Sequence, residues 1–241
     1  MPSSTSLLQV VSGGTVGTDR LFIGDGLNKG VALVTGVGST LSVNLSTPIG
    51  RFVVGAWGDG EIGVANRGVL SVSGAGLIEL GNDYNGRSAT GTLRIGDTGS
   101  AGTVSAQEIR FNTSTSQIIA NFTDSSTLSA KITGFGSVIK DGVGTLTLTG
   151  SSNYTGGTVI SDGTVSVNQG SAVIDALGTG LITLNGGRLH SALGSSTLNS
   201  YLVSAGTMGT ISTATRRRDH GRHRYKCSWQ FVYYSCIWPP C

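Results

Sequence analysis

DGVGTLTLTGSSNYTGGTVISDGTVSVNQ, residues 141–169, reads as strand, turn, strand, turn, strand. Leu146 and Leu148 alternate with Thr145, Thr147 and Thr149, a period of two that sends leucine to one side and threonine to the other. Gly150 to Asn153 and Gly156-Gly157 are turn clusters, Val159-Ile160 is a further short apolar run, and Asp162-Gly163 turns the chain into Val165-Ser166-Val167. None of these runs holds enough apolar surface to make a core alone. Each has to stack on a unit like itself.

The ordered set Gly142, Gly144, Leu146, Leu148, Gly150, Asn153, Tyr154, Gly156, Gly157, Thr158, Ile160 and Gly163, with Val165 where leucine is usual, resembles the autotransporter-associated β-strand repeat of bacterial type V secretion passengers. The strong match covers about 138–169, and a looser version of the texture runs from Gln9 to Ser212. The resemblance implies a right-handed, single-stranded parallel β-helix at the cell surface. It also implies an outer-membrane β-barrel translocator elsewhere in the gene, and these twelve residues as structural positions of the repeat.

Composition points independently to an all-β solenoid. Glycine accounts for 39 of 241 residues, only 12% are charged and 4 are proline, whereas globular domains carry about 25% charged residues. No window shows an i, i+3, i+4 apolar stripe with caps and a charged back face. Glycine without a period of three excludes collagen. The slightly positive mean hydropathy, with Val, Ile and Leu at strand spacing, argues against disorder.

Upstream, a phrase of apolar-x-apolar-Gly recurs as Leu21–Gly24, Phe52–Gly55, Ile78–Gly81 and Leu93–Gly96, with glycine steps of 31, 26 and 15. Leu41-Ser42-Val43 and Leu70-Ser71-Val72 fall between the phrases. The pattern predicts one or two short strands per coil, with glycine at the bend, and the step of 15 as an extra strand within a coil. Val173-Ile174 and Leu181–Leu184 with Leu189 predict a further coil, and Tyr201–Ile211 a last one. The expected division is a lead-in over 1–20, a β-helix over 21–215 and a tail over 216–241. Met1–Gly14 has no basic n-region and only a short, interrupted apolar run, so it does not read as a signal peptide.

The net charge of +3 hides a split. The tail, RRRDHGRHRYKCSWQFVYYSCIWPPC, is strongly basic, and the remainder holds ten basic against twelve acidic residues. The body therefore has no nucleic-acid signature. Its abrupt change of vocabulary, and codons for Trp229-Gln230 that force glycine in a shifted frame, read the tail as a frameshift product; a natural basic tail is the alternative. Cys227, Cys236 and Cys241 lack the close Cys pair of structural zinc sites, even with His220 and His223 nearby.

In the body, His190, Ser191 and Asp175 come without a Gly-x-Ser-x-Gly elbow, and no catalytic triad is expected. Asp25, Asp59, Glu61, Asp83, Asp97, Asp141 and Asp162 mostly sit beside glycine, which is turn chemistry. Trp57 is the one bulky aromatic that reads as exposed, either a sugar platform or a lid over a coil. No catalytic, metal or cofactor residues are expected. The expected role is a surface-displayed stalk or adhesin-like fragment that meets host or neighbouring-cell ligands through outward Ser, Thr and Asn. A polysaccharide-active β-helix enzyme and a truncated gene remnant are the alternatives.

Overall fold

In the computed structural model the described residues are 5–26, 28–47, 50–84, 87–167, 175–191, 199–213 and 231–233. Short alternating strands become coils here because glycines at positive φ turn the chain at the end of a strand. Gly24, Gly55 and Gly81 (φ +74°, +83° and +77°) follow the strands Arg20–Ile23, Arg51–Val54 and Leu77–Leu80. At such angles a Cβ clashes with the backbone, so glycine is the residue that turns the corner. The corner N–H groups bond to the coil below, Gly55 N to Ile23 O at 2.7 Å and Gly81 N to Val54 O at 2.7 Å.

The described chain is a parallel β-helix without α-helices. Its first face stacks nine strands: Thr5–Val10, Lys29–Thr35, Gly60–Ala65, Gly91–Ile95, Gln117–Asn121, Ser137–Asp141, Thr158–Ile160, Ile182–Leu184 and Tyr201–Val203. Every neighbouring pair is parallel, and the register carries one position from Val10 through Val34, Val64, Ile95, Ala120, Lys140, Ile160 and Leu184 to Val203. A second face runs through Thr15–Thr18, Thr40–Leu45, Val69–Gly74 and Thr103–Ser105, and a further sheet takes over from it with Ser125–Leu128, Thr145–Leu148, Thr164–Val167, Arg188–Ser191 and Gly209–Thr213. The hand-over is bonded, Ser126 Oγ donating to Gly102 O at 3.5 Å and Ala101 N to Asp124 Oδ1 at 2.9 Å. The third face holds Arg20–Ile23, Arg51–Val54, Leu77–Leu80, Glu108–Phe111 and Lys131–Gly134. Past Gly134 it continues as non-strand chain hung on the coil below, with Asn153 N donating to Ile132 O and Thr155 N to Gly134 O, both at 2.9 Å.

Several expectations need correcting. The first five coils carry three strands each, and only the later ones carry two. The coil stack also begins before residue 21: Thr5–Val10 pairs with Lys29–Val34 and Thr15–Thr18 with Thr40–Val43, so most of the stretch read as a lead-in forms coil strands. The fourth glycine phrase, Leu93–Gly96, lies on the first face while the other three lie on the third, which explains its short step. The tail lies outside the described residues except Phe231–Tyr233, which pairs antiparallel with Gly209–Ile211; the run through Val173-Ile174 is also outside them.

The row from Val10 to Val203 points inward and is apolar at every coil but one. Phe52, Phe111, Phe122 and Tyr154 fill the interior between the faces and are fully buried. Each aliphatic side chain so placed stabilises the fold by roughly 1.5–3 kcal/mol. Outward positions are less polar than the sequence suggests. Ile119, Ile139 and Val159 occupy one outward row of the first face, in three consecutive coils, where Ser, Thr and Asn were expected.

Lys140 is the exception in the inward row. Ala120 below it leaves room for the long side chain, and the Lys140 residue is wholly buried. Its ammonium donates to Asp141 O at 2.6 Å and to Gly142 O, and lies 5.0 Å from the centroid of the Phe122 ring. Burial pushes its pKa below the ordinary 10.5, against the opposing pull of Asp162 and Asp141. The unfolded chain therefore holds this proton more tightly than the folded one, and stability rises as pH climbs from the depressed value towards 10.5. Equilibrium urea unfolding at pH 8 and pH 10 should show this increment in the native protein and lose it in Lys140→Met. Equal pH slopes in the two proteins would contradict the assignment.

Candidate binding surface

The twelve repeat residues are distributed along coil corners and inward rows. Gly142 (φ +72°) and Gly163 (φ +62°) sit in successive turns, and a Cβ on Gly163 would lie 2.4 Å from Gly144 O and 2.5 Å from Gly142 O. Gly144, Gly150 and Gly156 each face backbone of the preceding coil, with carbonyl oxygens 2.2–2.4 Å from where a Cβ would stand. Gly157 (φ +86°) closes the corner before Thr158. Leu146, Leu148 and Ile160 point inward, and Asn153 is an exposed corner residue. Tyr154 and Thr158 are both fully buried and share a hydrogen bond of 2.6 Å between their hydroxyls. Desolvation drives the Tyr154 phenol far above its usual 10, so it stays protonated throughout the ordinary pH range. None of the twelve presents an ionisable group at the surface.

The charged residues form short axial ladders on the outside. Glu61 bridges Lys29 (3.0 Å) in the coil before and Arg94 (2.7 Å) in the coil after. Burial raises the Glu61 pKa, but the hydrogen bonds and charges of Lys29 and Arg94 outweigh it and hold the carboxyl below 4.5. On the third face Glu79 accepts from Arg51 at 2.8 Å and from Asn112 at 3.2 Å. Glu108 receives Arg110 and Thr133, at 3.0 and 2.7 Å. Burial raises the Glu108 pKa too, and these partners with Lys131 bring it below 4.5. Such half-exposed pairs are worth about 0.2–1 kcal/mol each; those of Glu61 and Glu79 join neighbouring coils, whereas Glu108–Arg110 lies within one strand.

Among the described residues the ionisable groups singled out from sequence do not converge; the Asp83 side chain, His220, His223 and the three cysteines lie outside them. His190 and Ser191 are adjacent in one strand, so His190 points outward, with Nδ1 3.0 Å from Ser212 Oγ, while Ser191 points inward. Asp175 is hydrogen-bonded by Ser151. Asp59 accepts from Thr90 N at 2.9 Å in the corner of the next coil, and Asp162 from Gly163 N at 2.6 Å within its own turn. Among the described residues no group of three His, Cys, Asp or Glu side chains is placed to hold a metal ion. Trp57 is exposed to 43% and its ring tilts against Phe22, centroids 6.2 Å apart, so it covers the corner between coils.

Phe135 is a feature that sequence reasoning missed, and it is 61% exposed on the corner between the third and first faces. The signal was its position between Gly134 and Gly136, a corner too tight to fold a ring inward. Beside it lies a groove of about 430 Å3, with Asn112, Ser114 and Thr155 along its walls. Ser88 stands at one edge, in the strand Arg87–Ala89 that pairs antiparallel with Asn82–Tyr84.

The Tyr154–Thr158 pair and the corner glycines Gly142, Gly157 and Gly163 fall within a stretch that a known family also marks. Residues 138–167 match the passenger-associated-transport-repeat family. That stretch carries the passenger-associated transport repeat. The chain is 32% identical over 161 residues to the adhesin BmaC autotransporter of Brucella suis biovar 1 (strain 1330), an alignment covering 64% of this chain. The chain spans about 4% of the length of that relative. No solved structure matches it. At the passenger repeat the coils take an even step, Ala120 pairing with Lys140 and Lys140 with Ile160.

Proposed function

We propose that this chain is a segment of an adhesin-like passenger rod, displayed at the cell surface, whose work is contact and carries no reaction. The observation that supports it best is the uninterrupted first face: nine parallel strands hold outward rows at fixed spacing, about 4.8 Å per coil. Such a lattice repeats weak contacts along one axis, which suits multivalent attachment. The passenger repeat and the adhesin relative support the same reading. So does the use of the body's carboxylates in turns and ladders, with Glu61, Glu79 and Glu108 each committed to cationic neighbours.

The test is display. The full chain is fused ahead of an outer-membrane β-barrel translocator in a non-adherent bacterium, and surface exposure is verified by immunolabelling. Labelled cells are expected to attach to host-cell monolayers several-fold above cells displaying the translocator alone. Surface-labelled cells that attach no better than the control would contradict the proposal.

A further inference from the structure

The groove beside Phe135 crosses three successive turns of the same corner. Asn112 and Ser114 come from the first turn, Phe135 from the second, and Thr155 and Gly156 from the third. Coil spacing is about 4.8 Å, comparable with the advance of one pyranose unit in a saccharide chain. The backbone here is already paired between coils: Thr155 N donates to Gly134 O at 2.9 Å and Gly156 N to Gly136 O at 3.1 Å. A peptide therefore finds no open strand edge to extend.

The lining chemistry narrows the occupant. Ser88, Ser114 and Thr155 offer hydroxyls and Asn112 its amide oxygen, its N–H groups being donated to Glu79 and Gly81 O, and among the described residues no lining side chain is ionisable. An anionic ligand would meet no cation among the described lining residues, and a wholly apolar ligand would strip water from these hydroxyls without replacing its hydrogen bonds. Phe135 supplies an open ring: among the described residues no other ring stacks on it, whereas Trp57 is held by Phe22. At Gly156 the wall is bare backbone, because a Cβ there would stand 2.4 Å from Gly136 O. A flat aromatic face flanked by neutral hydrogen-bonding groups matches a sugar, whose C–H face stacks while its hydroxyls bond outward.

We infer that this groove binds a neutral oligosaccharide, with one pyranose ring on Phe135 and its hydroxyls on Ser114, Asn112 and Thr155. This gives the display reading a ligand class and rests on that reading. The test applies the purified full chain to an array of neutral glycans ending in galactose, glucose, mannose or N-acetylhexosamine, with sialylated glycans alongside. Retention of at least one neutral glycan is expected, weakened about tenfold in Phe135→Ala and in Phe135→Leu, which keeps apolar bulk without the ring, and preserved in Phe135→Trp. Thermal melting of the variants should match the native chain, since the ring is exposed. Retention of no neutral glycan, or retention unchanged in Phe135→Leu, overturns the inference. Displayed cells that attach to monolayers while the array stays blank sink the ligand class alone; a positive array with non-attaching cells sinks the display reading alone.

Discussion

Tyr154→Ala is expected to destabilise the chain by about 3–5 kcal/mol, the cost of removing a large buried ring from a packed interior. Tyr154 has no exposed surface, and its ring meets Phe111 edge-on at 6.2 Å with an interplanar angle of 70°. It occupies the place where the third face loses its regular strand, so no neighbouring strand can close the cavity. Its hydroxyl is also the partner of Thr158, which sits in an inward row otherwise filled mainly by apolar side chains. Truncation leaves that hydroxyl buried and unpaired, adding a desolvation cost. Tyr154→Phe isolates the second effect and should cost about 1–2 kcal/mol. Denaturant midpoints for the two variants check both figures. A Tyr154→Ala cost below about 1 kcal/mol would mean that the coil relaxes around the gap and the interior is not tightly packed.

Gly91→Val is expected to cost more than about 4 kcal/mol, in the range reserved for severe core disruption. Gly91 begins a strand of the first face directly over a corner glycine. A Cβ at this position would lie 2.2 Å from Gly81 N and 2.2 Å from Val54 O, both backbone atoms that cannot swing aside. Its own N–H is held by Ser116 Oγ at 3.0 Å, so the strand cannot shift outward without losing that bond. Gly60 repeats the arrangement one coil earlier, where a Cβ would lie 2.1 Å from Gly55 N. Gly17→Val is the matched control. It lies in the exposed strand Thr15–Thr18 with no atom within 4 Å of where a Cβ would stand, and valine suits a strand. That substitution should change stability by no more than about 0.5 kcal/mol. Thermal melts of the three proteins separate the outcomes, and equal effects of the two valines would remove the close-approach explanation.

The strand alternation and the corner glycines were legible because they are local. Leu146 and Leu148 alternate with threonine, and only glycine turns freely at φ near +80°, so Gly24, Gly55, Gly81 and Gly96 could be picked out by spacing alone. The pairing of Leu41-Ser42-Val43 with Leu70-Ser71-Val72 followed the same rule, and the structure stacks Leu41 on Leu70 and Val43 on Val72. The number of strands per coil was not legible. It depends on whether segments such as 131–134 and 150–156 meet regular partners in the neighbouring coils, which are distant in sequence. Thr5–Val10 was hidden for a related reason, since its neighbour is Lys29–Val34, beyond the reach of any local pattern.

Lys140 shows another limit of reading by residue type. A period of two through Val138 and Lys140 places the lysine inside, against its polarity, and the Asp141 and Gly142 carbonyls, the Phe122 ring and the nearby Asp162 and Asp141 charges make the position tolerable. The same alternation sends Ile139 outward. The groove beside Phe135 was out of reach because Asn112, Phe135 and Thr155 come from separate segments that meet only once the coils are stacked.

The most direct measurement of the coil stack uses pulsed dipolar distances along one outward row of the first face. Gln9, Ile119, Val159 and Leu202 lie in that row, with Ile119, Val159 and Leu202 four, six and eight coils beyond Gln9. With Cys227, Cys236 and Cys241 replaced by serine, spin labels at residue 9 and at each partner in turn should be separated by about 19, 29 and 38 Å, growing by about 4.8 Å per coil. Separations that fail to grow with coil number, as in a sandwich or a closed barrel, would contradict the β-helix and the surface display built on it.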